Sequence, residues 1–476
     1  MERFLMDELV AWKDRPRRKP LILNGARQVG KTWLLKEFGR TQFENVAYVN
    51  LDDNPRMREQ LELGYDIPRI VSAIQFETGE VVSEGGTLIV LDEIQACPKA
   101  LTSLKYFCEG APGYAVAAAG SLLGITVHEG SGYPVGKVNT LDLHPLSFRE
   151  FLAATGNRTL CDLIDTGDTS LINGFSSKLV PLLRQYYYVG GMPEAVSVFL
   201  ERGLLEDARE VQLEILRGYE RDISKRLSRA ETEYALAAWR SIPSHLGREN
   251  KKFVFSHIAQ GARARNYRAG ITWLTQAGIT TLVRRISKPG IPLAPYADDA
   301  AFKLFLVDVG LLGAMAGLDK ETVVGGSEIF EEFKGSLTEQ YICQQLVSDC
   351  GLTPYYWSAE NSSGEIDFLV QGANSAYAIE VKAEENLRAK SLRAFKESHP
   401  EIKSVRFSLS GYREQDWVRN VPLYAMSNMG LWGQPVAHFG VLAADAERGD
   451  CMRVFDEKRV VYYGRNDYAA GVYRDR

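Results

Sequence analysis

Residues 21–38 set the strongest constraint on what this chain can become. Leu21-Ile-Leu-Asn reads as a short buried strand, Gly25-Ala26-Arg27-Gln28-Val29-Gly30-Lys31-Thr32 follows, and Trp33-Leu-Leu-Lys-Glu-Phe38 opens a helix. A Gly-x4-Gly-Lys-Thr spacing between strand and helix makes a loop whose backbone N–H groups turn inward around phosphate oxygens. The positive end of the helix adds to the attraction. Residues Gly25 to Trp33 are therefore expected to line a bound nucleoside triphosphate. Lys31 reaches the β- and γ-phosphates and the Thr32 hydroxyl ligates Mg2+.

The other half of such a site is visible downstream. Thr87-Leu-Ile-Val-Leu-Asp92-Glu93 is a continuous apolar strand ending in two acids, the pattern of a central parallel strand buried on both faces. Asp92 emerges at the strand's carboxyl end, where such sheets bind ligands, and is expected to hold Mg2+. Glu93, pointing elsewhere, is placed to polarise the attacking water. Tyr114-Ala-Val-Ala-Ala-Ala-Gly120-Ser121 reads as a further buried strand, and Ser121 is placed to sense the γ-phosphate or the water.

The whole chain allows several domains. It has 476 residues, 45% of them apolar and 25% charged, with a net charge of −5. That balance argues against a wholesale nucleic-acid binder, so any basic surface is local. Cys97, Cys108, Cys161, Cys343, Cys350 and Cys451 are scattered with no C-x-x-C, which speaks against a structural zinc site or a disulfide framework and fits a reducing cytoplasm. The first ten residues carry acids where a signal peptide needs an apolar core, and no run is apolar enough for a membrane span.

From residue 20 to about 145 strands (near 21–25, 45–51, 87–92, 114–120 and 138–143) alternate with helices (near 31–39, 55–63, 66–78 and 98–109), a doubly wound α/β pattern over residues 1–145. Ser147 and Glu150 form a capping box that opens a helical region, 146–230, read as a lid. Its Tyr186-Tyr-Tyr188 is expected in the core rather than as a platform for bases. Between residues 231 and 310 cations exceed acids by five. A helix from Ser256 broken at Gly261, a second from Asn266 to Ala277, a strand from Ile279 and a partner from Lys303 together read as a winged helix-turn-helix over 231–320. Its basic segment, 248–288, would meet DNA phosphates.

A second constellation lies in 326–425. Gly364-Glu365-Ile-Asp367-Phe-Leu-Val-Gln, a turn at Gly372-Ala-Asn-Ser375, and Tyr377-Ala-Ile-Glu380-Val-Lys382 read as a hairpin. With the turn at its centre, Asp367 faces Glu380 and Glu365 faces Lys382 on one side of the sheet, while Ile366, Phe368, Ile379 and Val381 form the apolar reverse. Opposed carboxylates about 5 Å apart call for a cation between them. Asp367 and Glu380 are candidate Mg2+ ligands, Lys382 would orient or deprotonate water, and Glu339 comes from a helix beneath. This is the arrangement of PD-(D/E)xK nucleases. A degenerate nuclease fold used for binding, or a surface hairpin with cross-strand salt bridges, fits the same residues.

Taken in order, Gly25-x4-Gly30-Lys31-Thr32, Leu91-Asp92-Glu93-Ile-Gln, Gly120-Ser121, Leu143-His-Pro-Leu-Ser-Phe-Arg-Glu150, Gly190-Gly191-Met-Pro193-Glu-Ala, Tyr219-Glu-Arg-Asp222-Ile, Asn250-Lys-Lys-Phe253 and Glu380-Val-Lys382 resemble the bacterial and archaeal AAA-family ATPases that carry a C-terminal DUF4143-type domain with a nuclease-like end. The resemblance implies an AAA+/ASCE-like P-loop NTPase domain with a helical lid, a winged-helix segment and an α/β restriction-endonuclease-like C-terminal domain. It further implies ATP and Mg2+ as cofactors and hydrolysis; DNA is expected as a partner through the basic segment 248–288, and a homo-oligomer is a further expectation. Where that pattern has Gly-Arg this chain has Gly136-Lys137, so any contact to a neighbour's γ-phosphate would fall to Lys137 or Arg149. The segment 426–476 lies outside the pattern.

Overall fold

The computed structural model describes residues 1–120, 133–325, 331–359, 364–372, 374–384 and 389–433, with the backbone of 452–456 and 459–463. The first unit contains α1 (Leu5–Lys13), β1 (Leu21–Asn24), α2 (Lys31–Gln42), β2 (Asn45–Asn50), α3 (Pro55–Glu62), α4 (Ile67–Thr78), β3 (Thr87–Asp92), α5 (Pro98–Gly110), β4 (Ala115–Ala119) and β5 (Asn139–Asp142). Local chemistry sets the helix ends. The Asn54 and Asp66 side chains accept from the Met57 and Arg69 N–H groups, and Gly79 closes α4 in the left-handed region.

The strands pair in parallel in the order β2-β3-β4-β1-β5. Alternate residues feed two cores: Leu88 and Val90 pack on one face, Ile89 and Leu91 on the other. An unbroken apolar run with both faces covered is what a central parallel strand requires. Asp92 then leaves the sheet at its carboxyl edge, beside the loop joining β1 to α2.

The helical region has α6 (Phe148–Ala154), α7 (Arg158–Thr166), α8 (Thr169–Gly174), α9 (Ser176–Val189), α10 (Pro193–Arg202) and α11 (Leu205–Arg226). The Ser147/Glu150 capping box is present. Tyr186, Tyr187 and Tyr188 are buried in the core.

Then come α12 (Arg229–Leu246), α13 (Ala264–Gln276), β6 (Thr280–Ile286), β7 (Ala297–Leu306), α14 (Val309–Met315), α15 (Lys320–Val323), α16 (Glu331–Ser348), β8 (Tyr355–Ser358), β9 (Glu365–Gln371), β10 (Ala376–Val381), α17 (Lys390–Ser398), β11 (Lys403–Ser408), β12 (Arg413–Glu414) and β13 (Arg419–Pro422). Two expectations change here. The helix expected from Ser256 is a single 3-10 turn, Phe255–His257, with no buried residue to anchor a longer one. The β6–β7 hairpin forms, but β6 also pairs in parallel with β8, so the hairpin edges an eight-stranded sheet ordered β12-β13-β11-β10-β9-β8-β6-β7. Helices cover both faces of that sheet. Leu337, Tyr341 and Ile342 of α16 pack with Phe368 and Ile379, whereas Leu392 and Phe395 of α17 pack with Ile366, Leu369 and Ala378.

Candidate functional site

The loop between β1 and α2 is bent as the sequence demands. Gly25 has φ +142°, and a Cβ there would stand 2.3 Å from the Leu143 carbonyl oxygen. Gly30 lies in the left-handed region at φ +92°, as does the non-glycine Gln28 at φ 65°. A side chain in that region costs about 1–2 kcal/mol, so Gln28 marks a backbone held for a purpose. Val29 and Ala26 are buried beneath the loop, while Arg27, Gln28 and Trp33 face outward. Lys31 is buried, and its Nζ donates to the Gly25 and Ala26 carbonyls at 2.8 and 2.7 Å. Burial lowers its pKa to about 8, against the opposing pull of Glu93 and Asp92. A buried ammonium held only by carbonyl oxygens is a partner waiting for an anion.

Thr32 Oγ1 donates to Asp92 Oδ2 at 2.6 Å, the Tyr48 hydroxyl donates to the same oxygen at 2.9 Å, and the Glu93 N–H donates to Asp92 Oδ1 at 3.0 Å. Glu93 has φ +49°, and its carboxylate accepts from the Gln95 side-chain amide. Thr32 and Asp92 thus form the hard-oxygen pair that suits Mg2+, next to a glycine cradle and an ammonium with no carboxylate partner; the donor set fits MgATP. Ser121 lies outside the described residues.

Three parts of the site came from residues whose role the sequence did not reveal. Arg3, buried, donates to the Val29 carbonyl at 2.9 Å and the His144 carbonyl at 2.6 Å, and forms an ion pair with Glu150 at 3.0 Å. The Tyr219 hydroxyl donates to the Arg27 carbonyl at 2.9 Å, and Asp222 pairs with the Arg27 guanidinium. Asp308, fully buried, accepts from the Gly191 and Leu311 N–H groups at 2.6 and 3.0 Å. The motifs around Leu143–Glu150 and Tyr219–Asp222 thus tie the helical region to the phosphate loop, while Gly191 is held to Asp308. No spacing rule announces such contacts, because each joins segments far apart in sequence.

A cavity of about 260 Å³ opens beside the first glycine of the loop. Gly25, Ala26, Asp142 and His144 line one side, and Gln276, at the end of α13, and Gly278, in the turn to β6, line the other. A Cβ at Gly278 would stand 3.3 Å from the Ala26 nitrogen, so this turn lies against the loop backbone.

Arg149 and Lys137, the two candidates for a contact to a neighbour's phosphate, both have carboxylate partners within the chain. The Arg149 guanidinium is committed to Asp165 at 2.7 Å and Asp349 at 3.3 Å. Lys137 pairs with Glu109 at 2.9 Å and stays partly exposed.

The basic segment is thinner than its sequence suggests. Arg284 and Arg285 pair with Asp299 and Asp298, both at 2.7 Å, and Lys251 turns inward to Glu339. Arg263, Arg265 and Arg268, at the first turns of α13, are exposed and have no carboxylate partner among the described residues.

The hairpin register is the expected one: Ile379 pairs with Phe368 and Ala376 with Gln371, which carries Glu380 toward Asp367. One extra residue in β9 opposite β8 then shifts the alternation, since Tyr355 pairs with Leu369 but Trp357 with Ile366. Ile366 therefore faces the α17 core and not, as expected, the same side as Phe368. Glu365 is likewise corrected: it pairs with Lys303 of β7, and Lys382 pairs with Glu380 at 2.6 Å. Asp367 accepts from the Val381 N–H at 2.7 Å. Burial, then Glu339 and Glu380, push the Asp367 carboxyl well above its usual range, and burial raises Glu380. Glu339 is buried too, yet Lys251 and Lys303 hold it below its usual range. As folded, the acids are near one another but not gathered. Among the described residues the three-ligand grouping within 4.8 Å is Cys161, Asp162 and Asp165, not Glu339, Asp367 and Glu380. The buried Glu339 Oε2 has no hydrogen-bond donor, and around the four carboxylates stand three ammonium groups and the Arg406 guanidinium, which lies opposite Glu380 on the next strand.

Residues 17–152 match the model of an AAA domain, and residues 334–426 match a domain of unknown function, DUF4143. The chain therefore carries an AAA-type P-loop ATPase domain joined to a DUF4143 domain. Between them, residues 180–322 match a further domain of unknown function, DUF8612. No curated protein matches the chain. Among solved structures it is similar to the Walker-type ATPase of Pyrococcus abyssi (14% identity over 66% of this chain and 95% of that one, TM-score 0.42). It is also similar to the ORC1 protein of Aeropyrum pernix in complex with DNA (13%, 68% and 92%, 0.25) and to Drosophila ORC bound to DNA (14%, 65% and 85%, 0.26). No helix among the described residues is long and apolar enough to cross a membrane.

Proposed function

We propose that this protein is an ATP-binding, Mg2+-dependent ATPase whose nucleotide state governs a DNA-acting C-terminal half. Lys31 and the loop N–H groups hold the phosphates, Thr32 and Asp92 would hold the metal, and Glu93 accepts the proton of the attacking water. Mg2+, when bound, supplies charge neutralisation at the phosphates. Gln95 keeps the Glu93 carboxylate to one side until the site is filled.

The observation that carries the coupling is the placement of α13. This 13-residue helix is about 20 Å long, with its C-terminal turn against Gly25 and Ala26 and three exposed arginines at its other end. A helix C-terminus is a partial negative charge, so an anion arriving in the loop repels the near end of α13 and displaces the far end. The test is ATP turnover with and without duplex DNA, in wild type and Glu93→Gln. We expect DNA to change wild-type turnover several-fold, and Glu93→Gln to bind ATP while losing about 100-fold or more in turnover. Turnover indifferent to DNA would sink the coupling.

For the end domain two readings stand. Each of Glu339, Glu365 and Glu380 already has its own lysine, which favours a nucleotide-controlled binding module that cuts nothing. The Asp367 carboxyl, which has no ion-pair partner among the described residues, favours a metal-dependent nuclease site. Glu380→Ala separates them: DNA nicking with Mg2+ that survives this change excludes the nuclease reading.

A further inference from the structure

The acidic centre contains a removable cation. Lys303 sits in mid-strand, its backbone paired with Val283 and its side chain fully buried against Glu365, with Nζ 4.0 Å from Glu339 Oε2. Lys382 belongs to the centre itself. Lys251 differs from both. It lies outside any helix or strand, in the segment between α12 and α13, and reaches across to Glu339 Oε1 with its side chain 13% exposed, where that of Lys303 is wholly buried. The backbone of that segment is pinned two residues on, where the Phe253 N–H donates to the Phe302 carbonyl at 2.8 Å. Lys251 can therefore leave by turning its own four-carbon stem, with no rearrangement of the sheet.

We propose that Lys251 is an internal latch. By holding Glu339 it keeps the carboxylates of Glu339, Asp367 and Glu380 from closing on a divalent cation, and ammonium and metal compete for the same oxygen atoms. The inference rests on reading this centre as a cation site. Three observations converge on it. Glu339 Oε2 is buried and lacks a donor although Oε1 is taken. Asp367 has the Val381 N–H but no ion-pair partner among the described residues. The latch also comes from the segment that leads into α13, the helix whose C-terminal turn lies against the phosphate loop. A dication has about twice the charge of the ammonium it displaces and can be shared by several carboxylates, which one lysine cannot do.

The test uses Mn2+ alone as probe, on the full chain without nucleotide, with bound ion followed by loss of the free Mn2+ paramagnetic signal. Lys251→Met and Lys251→Gln are compared with wild type, each checked by its melting transition, so one poorly folding variant does not leave the question open. We expect both to take up one Mn2+ at least tenfold more tightly than wild type, and the gain to vanish when Glu380→Gln is added to either. Equal affinity in wild type and variants overturns the latch and leaves the cation site standing. A gain that survives Glu380→Gln overturns it as well, because the ion is then held elsewhere. No uptake by any form overturns both the latch and the cation site.

Discussion

Lys31 is the residue whose chemistry is most sharply set by its surroundings. Burial lowers its pKa from 10.5 to about 8, and the oxygens it donates to are neutral carbonyls. An anion in the loop reverses that cost and favours the charged form. Without nucleotide the protonated fraction falls as pH rises past 8, so above that point ATP binding must be accompanied by proton uptake. We predict that affinity falls by up to about tenfold per pH unit from 8 toward 10.5, with negligible pH dependence from this group below 7. Calorimetry in two buffers of different ionisation enthalpy measures the uptake directly; none at pH 9 would refute the role given to Lys31. Neither the depressed value nor its cause is visible in a Gly-x4-Gly-Lys-Thr string, which gives the residue but not its dryness.

At the scale of elements, short-range signals were legible and cross-chain ones were not. The parallel strands, the capping box at Ser147 and the β9–β10 register all follow from residues within a dozen positions of each other. The bulge in β9 does not, since it is set by pairing with β8, and it is what sends Glu365 to Lys303 instead of Lys382. The Gly190–Gly191 pair was legible as a motif yet not as a mechanism. A Cβ at Gly191 would fall 2.1 Å from the Leu146 carbonyl oxygen, whose own N–H donates to the Gly191 carbonyl at 2.7 Å. This close approach joins the start of α6 to the end of α9. We predict that Gly191→Ala costs about 1–3 kcal/mol or more through overpacking against backbone that cannot give. In denaturant melts a loss below about 0.5 kcal/mol would show that the two segments are not held together there.

For the molecule as a whole, the sequence divides the chain where the structure does not. The β6–β7 hairpin looks self-sufficient in sequence because both strands and the helix before them lie within fifty residues, but its open edge is completed by β8 from beyond residue 350. A strand's second neighbour leaves no local trace. The consequence is mechanical: α13, braced on that hairpin, is tied at one end to the nucleotide loop and through the sheet to the acidic centre. If Arg263, Arg265 and Arg268 are the DNA contact at its free end, replacing all three by glutamate removes about three phosphate neutralisations. The slope of log binding constant against log salt should then fall by about 2.7 for duplex DNA. Basal ATP turnover should be unchanged, because none of the three touches the phosphate loop, while its response to DNA disappears. A triple variant with an unaltered salt slope would move the DNA surface elsewhere on the molecule and leave α13 as a link between nucleotide and acidic centre alone.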